Sequence, residues 1–293
     1  MSMAKKKELI YTIDVGEKAV IVESDFYVPF EPKKSSPQIR EKVVELYNTL
    51  RESVKQLVVE EDEILFAAYS ESDKNRFYDV ENMLFFNIGC SAFSNCCKHS
   101  LAFVGDEERF SGLERTDVED KYHYSYKVLK EKEIENMLLD KKIVASWDRV
   151  PIDTKIPQSA TRYYATIREN LDCIDIQGRL EDKSLFGMVL DITLPTKVLP
   201  ASVMKPLLDG LICAFHGEEG RAEQTLKMIF DNSMDLTISS KKLNLFGDRE
   251  YVSQYRGENS YKWNPEDERL QFAWITVHTG KSAELSGNIY QWK

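Results

Sequence analysis

The sequence predicts an α+β fold built mainly of antiparallel sheets, with one long amphipathic helix in each half. Three observations carry that expectation. Asp25-Phe26-Tyr27-Val28-Pro29 is echoed by Asp191-Ile192-Thr193-Leu194-Pro195, and each copy closes an apolar, strand-like run. Each copy is followed by a proline-bearing loop and a stripe of apolar residues at helical spacing. The strand-like runs come in pairs on either side of each stripe, a succession that favours α+β over alternating βαβ units. The echo also raises a possible internal pseudo-duplication, one unit used twice.

The elements follow in order. Residues 8–14 and 19–28 are apolar and β-branched around Gly16, which reads as a hairpin. Pro29 and Pro32 end the second strand, because proline offers no donor to a ladder. Ser35, Ser36 and Pro37 supply a helix start. Ile39, Val43, Val44, Tyr47, Leu50, Val54 and Leu57 continue it at helical spacing. Residues 63–69 and 83–88 read as buried strands, 121–129 as an alternating one, 131–142 as a short charged helix and 143–147 as a strand.

Two prolines and little apolar surface mark 148–157 as the junction. The expected organisation is an N-terminal half at 1–147, a connecting segment at 148–158 and a C-terminal half at 159–293. In the second half, 160–170 reads as a helix or a strand, and 172–180 with 184–194 as a hairpin. Pro200, Val203, Leu207, Leu208, Leu211, Ile212 and Phe215 form the second helical stripe, closed by Gly217. Pro206 marks either a kink or the true first turn. A shorter helix at 225–230, strands at 235–239 and 272–278, and a last strand at 289–292 complete the reading.

Composition narrows the function classes. The chain has 293 residues, of which 42% are apolar, and its 14 Phe, 14 Tyr and 4 Trp argue for a packed core. A net charge of −10 repels nucleic acid and anionic membrane, so nucleic acid is a disfavoured partner. Five cysteines at irregular spacing make no disulfide framework and fit a reducing compartment. No run approaches the ~20 apolar residues of a membrane helix, and no signal-peptide stretch follows the first lysines. The expected location is the cytoplasm, with no membrane partner. The glycines stand singly, away from any phosphate-loop spacing.

Four groups of residues carry candidate chemistry. Asp79 and Glu81 are one residue apart before an apolar run, and paired carboxylates of this kind can hold magnesium or manganese. Asp191 or Asp209 would complete a hydrolytic metal site, and solvated strand-entry residues are the competing reading. Cys90, Cys96, Cys97 and His99 are candidate zinc ligands, but the paired spacing is missing and the favoured reading is that the cysteines are small core residues. Glu266, Asp267 and Glu268 after Asn264-Pro265 suit a helix N-terminus, and His216 suits a helix C-terminus as a cation. Tyr251, Tyr255, Arg256, Tyr261 and Trp263 interleave rings with basic residues, either as a binding surface or as a packed β-meander.

The function expected from this pattern is a non-catalytic cytosolic binding or assembly component with a protein partner, working inside a larger complex and without a cofactor. The alternative is a divalent-metal-dependent hydrolase, acting on nucleic acid in one version.

Overall fold

The computed structural model describes residues 10–26, 28, 37–71, 79–105, 122–181, 183–218, 243–254 and 261–292. The chain divides into two compact units, Met1–Asn136 and Met137–Lys293.

The first unit opens with the expected hairpin, β1 (Tyr11–Val15) and β2 (Ala19–Ser24), turned where the Gly16 N–H donates to the Ala19 carbonyl at 2.8 Å. Helix α1 (Pro37–Val54) follows, and its stripe Val43, Leu46, Leu50 and Val54 is fully buried. Strands β3 (Glu63–Glu71), β4 (Ser100–Gly105) and β5 (Tyr122–Lys130) complete a sheet in the order β1-β2-β5-β3-β4. Between β3 and β4 the chain makes a π-helical turn at Asn82–Phe86 and a 3-10 turn at Cys90–Phe93. These turns seat Phe85 4.9 Å from Phe93 and 6.1 Å from Phe103 of β4, ring centre to ring centre. The short helix α2 (Glu131–Leu138) follows β5.

The second unit contains β6 (Lys142–Pro151), α3 (Ala160–Glu169), β7 (Ile174–Ile176), β8 (Leu185–Leu194) and α4 (Pro200–Ala214). Short strands follow: β9 (Gly217–Glu218), β10 (Asp248–Arg249), β11 (Val252–Gln254) and β12 (Tyr261–Trp263). The long strands β13 (Leu270–Thr279) and β14 (Glu284–Trp292) end the chain. The main strands lie in the order β13-β8-β14-β6-β7, with β9/β10 and β11/β12 as two small ribbons. Helices α3 and α4 pack on each other where Gly210 lets the Ala160 carbonyl approach the α4 backbone. Helix α4 begins at Pro200, so Pro206 is an interior residue.

Several expectations are corrected here. The sheets are mixed rather than mainly antiparallel: β4 runs parallel to β3, and β13 parallel to β8. A parallel pair needs a crossover, and the crossovers are the turns at 82–93 and helix α4. The segment at 83–88 is therefore helical, not a strand. The rule of one long helix per half also fails, because the second unit pairs α3 with α4. Strand β7 pairs with β6 rather than forming a hairpin with β8.

The five-residue echo joins unlike places. Asp25 and Phe26 follow β2, which lies between β1 and β5, whereas Asp191–Leu194 lie inside β8, between β13 and β14. Both units nonetheless share a strand order. The series β2-β5-β3-β4 and β6-β14-β8-β13 each run antiparallel, antiparallel, parallel, with β3 rather than β2 in the place of β8. Tyr27, Pro29, Pro32, Ser35, Ser36, the helix expected at 225–230 and the strand expected at 235–239 lie outside the described residues. Among the described residues no helix is long and apolar enough to cross a membrane.

Candidate functional site

Asp79 and Glu81 lead into the π-helical turn rather than a strand. The turn brings a carboxylate oxygen of each within 4.8 Å of the other, and Glu81 is fully buried. Asp79 accepts a hydrogen bond from the Asn82 side chain, and its carbonyl accepts the Met83 N–H at 3.1 Å. The other two acids of the hydrolase reading make separate contacts in the second unit. Asp191 lies 3.0 Å from His278 Nε2, with both side chains 52% exposed. Asp209, on α4, faces Lys205 Nζ at 3.0 Å, and the same ammonium reaches Asp267 at 2.7 Å. Burial pushes the Asp209 carboxyl up to about 6, with Asp267 adding to the rise and Lys205 opposing it.

The cysteine cluster divides: two of its cysteines are core, while Cys90 and His99 are half-buried. Cys96 and Cys97 are buried, Cys96 Sγ lies 3.8 Å from the Phe93 carbonyl, and burial raises its thiol to about 12. Burial also raises the Cys90 thiol, and His99 lies 4.0 Å from Glu131. Among the described residues these four do not bring three ligand atoms together.

The aromatic group divides. Tyr251 is fully buried, hydrogen-bonded to Tyr164 through the two hydroxyls at 2.9 Å, and Trp263 packs 5.2 Å from the Tyr164 ring. Both hold the α3 side of the core. Tyr261 begins β12, while Tyr255 and Arg256 lie outside the described residues.

The acidic run at 266–268 forms a 3-10 turn (Asp267–Arg269) instead of a helix start, and basic side chains answer its acids. Glu266 receives Arg249 at 2.9 Å and Arg269 at 2.5 Å. Arg269 also donates to the carbonyls of Ser184, Glu181 and Phe246. His216, expected as a cation at a helix end, is buried against Phe246 and Tyr251, with Nδ1 3.3 Å from the Gly247 carbonyl. Burial pushes its pKa down to about 4, so it is neutral at pH 7.

The surface that the sequence reading missed is one face of the second unit's main strands. Successive residues of a strand point to opposite faces. Met188, Leu190 and Ile192 of β8, Ile275 of β13, and Leu285 and Ile289 of β14 fill the buried face. On the other face, register aligns Asp175, Ser146, Asn288, Val189 and Trp274 in one row across five strands. The neighbouring row holds Ser286, Asp191 and Thr276, and Glu284, Thr193 and His278 form the next. Tyr290 lies on the same face, two residues beyond Asn288. These residues are half-buried or exposed. Ser286 Oγ donates to Asp148 at 2.9 Å and accepts the Arg149 N–H at 2.9 Å, where β6 bulges. Period-two alternation through 284–292 is the sequence signal for this face, where the expected strand covers only 289–292.

No protein-family model, curated protein or solved structure matches this chain.

Proposed function

We propose that the protein is a binding component of a larger protein assembly, and that the open face of β13, β8, β14 and β6 is its contact surface. One observation carries the reading. This face mixes the rings of Trp274 and Tyr290 with short hydrogen-bonding side chains, Ser146, Asn288, Ser286 and Thr276. Tryptophan and tyrosine rings are enriched at the energetic centres of protein contacts, and short Ser and Asn side chains beside such rings supply adaptable hydrogen bonds, as in antibody binding loops. The five cysteines, none in a disulfide, support the cytoplasm as the place of work.

The test is affinity purification of the tagged full-length chain from its own cells after mild cross-linking, beside a Trp274→Ala/Tyr290→Ala variant with an unchanged far-UV spectrum and two-state melt. The expected result is a reproducible protein partner recovered with the parent chain and reduced about tenfold with the variant, the loss of roughly 1.4 kcal/mol or more that truncated hot-spot rings cause. Equal recovery with both chains, or no stoichiometric partner with the parent, overturns the reading.

A further inference from the structure

We infer that β1 is the docking edge for a second copy of this chain, the two β1 strands pairing antiparallel about a two-fold axis at Ile13. Strand order leaves β1 outermost in the first unit, and among the described residues it pairs with β2 alone. The Gly16 N–H on the Ala19 carbonyl and the Asp25 N–H on the Ile10 carbonyl fix which residues bond inward. Hydrogen-bonded pairs alternate along an antiparallel ladder, so Thr12 and Asp14 bond to β2. The N–H and C=O groups of Tyr11, Ile13 and Val15 therefore point away from it. Sheet edges are commonly blunted by lysine, proline or a bulge. Tyr-Thr-Ile-Asp-Val contains neither residue, and its register with β2 is unbroken.

The side chains select the occupant. Tyr11, Ile13 and Val15 share the face of Val20, Val22 and Ser24, which are buried, and the Tyr11 hydroxyl donates to Glu45 of α1 at 2.9 Å. They form the outer margin of the first unit's core, where Val15 is still 43% exposed. Pairing about Ile13 sets Val15 against Tyr11 of the second copy and Ile13 against its own equivalent, so the apolar margin continues across the axis. It also sets Asp14, the one charged residue of β1, against Thr12. An axis at Asp14 would instead place two carboxylates directly opposite, which opposes pairing. The Ile13 register further brings Ile10 of the second copy opposite Gly16, whose cleft is lined by Val58; Ile10 is 50% and Val58 60% exposed. The same strip serves both copies, so the contact closes as a dimer. A pairing of five-residue strands buries less than the roughly 800 Å² per partner of a stable interface, which sets Kd on the order of 10–100 μM.

The test is sedimentation velocity of the full-length chain from about 5 to 500 μM at low and high salt. Expected is a monomer–dimer equilibrium that tightens as salt screens the −10 charge of each copy, the reverse of a contact held by opposite charges. Val15→Pro removes an outward N–H and no inward one, so it should weaken the dimer at least about tenfold with an unchanged thermal melt. Cross-linking reads the register, in a Cys173→Ser background because Cys173 is the exposed cysteine. Thr12→Cys chains mixed with Asp14→Cys chains should form a disulfide-linked dimer under copper phenanthroline, since these positions face each other about 4.5 Å apart, Cα to Cα. Either variant alone should cross-link at least about tenfold less, its cysteines lying two residues out of register. A chain that is monomeric at every concentration, a dimer indifferent to Val15→Pro, or a lone variant that cross-links as well as the mixture overturns the inference. A monomer that instead captures a different protein, lost with Val15→Pro, would give the edge to a foreign strand and overturn self-pairing.

Discussion

Asp209 shows how a single buried carboxyl can cost stability while still making an ion pair. Lys205 lies 3.0 Å away, yet the carboxyl is pushed up to about 6, because burial and nearby Asp267 outweigh the ammonium. Whatever Lys205 contributes is already inside that balance. At pH 7 the folded protein therefore carries an ionised Asp209 that the unfolded chain would hold more cheaply. Asp209→Asn removes the charge and leaves Lys205 its partner Asp267 at 2.7 Å. The expected outcome is a gain of about 1–3 kcal/mol at pH 7 by urea denaturation, shrinking as pH falls through 6 and gone only below the ordinary aspartate value near 3.8, where the carboxyl is protonated folded and unfolded alike. An equal or lower stability at pH 7 would show that Lys205 needs both carboxylates.

At the scale of elements, Gly210 in α4 inverts the usual rule for helices. Glycine inside a helix costs about 1 kcal/mol relative to alanine, so replacing it normally stabilises. Here a β-carbon would collide with the Ala160 carbonyl oxygen and stand 3.0 Å from both Tyr163 Cβ and the Tyr164 nitrogen. These are backbone and near-backbone atoms of α3 that cannot swing aside. Overpacking of this kind costs about 1–3 kcal/mol, so Gly210→Ala should lower stability on balance. A variant that melts higher than the parent would mean that α3 slides freely along α4.

The same close contact explains part of what the sequence concealed. Residues 160–170 read as helix or strand because the buried side of α3 is aromatic and spread around much of the helix, with Tyr163, Tyr164, Ala165 and Ile167 all buried. Met83-Leu84-Phe85-Phe86 read as a strand because four consecutive apolar residues carry no periodicity. Their π-helical turn is closed by the Asn87 N–H on the Asn82 carbonyl at 2.8 Å, a spacing no apolar pattern advertises. With that turn read as a strand, the parallel course of β4 beside β3 was invisible. Where a glycine turned a hairpin, as at Gly16, the reading and the structure agree; in α1 the helix and its buried Val43, Leu50 and Val54 agree too, but Val44 is exposed and Leu46 fills the core instead. Of the candidate sites, the closeness of Asp79 to Glu81 was legible from their spacing. The open face was not, because it is assembled from five strands that are far apart in the chain.

For the molecule as a whole, two groups in the second unit set opposite responses to acid. His216 is held neutral down to about 4 by burial, so the unfolded chain takes up its proton first. Its share of stability is complete above the ordinary histidine value near pH 6.5 and falls as pH drops toward 4, by up to about 3 kcal/mol. Glu266 reinforces the loss lower down: burial works against its charge, but the Arg269 hydrogen bond and the neighbouring positive groups hold its pKa below the ordinary range. That contribution disappears only as the carboxyl itself protonates. Asp209 runs the other way. Its raised pKa makes the folded state the better proton acceptor between about 4 and 6, so acidification through that window favours folding. The two protons nearly cancel, and the parent chain should lose little stability between pH 6.5 and 4.5. Removing either partner exposes the other. In Asp209→Asn the acid loss should steepen, whereas in His216→Phe, which keeps a ring against Phe246 and Tyr251, stability should rise on acidification relative to its own value at pH 6.5. Parallel pH profiles for the parent and both variants would mean that these groups titrate alike in the folded and unfolded chains, and that burial in the second unit leaves them closer to water than its packing implies.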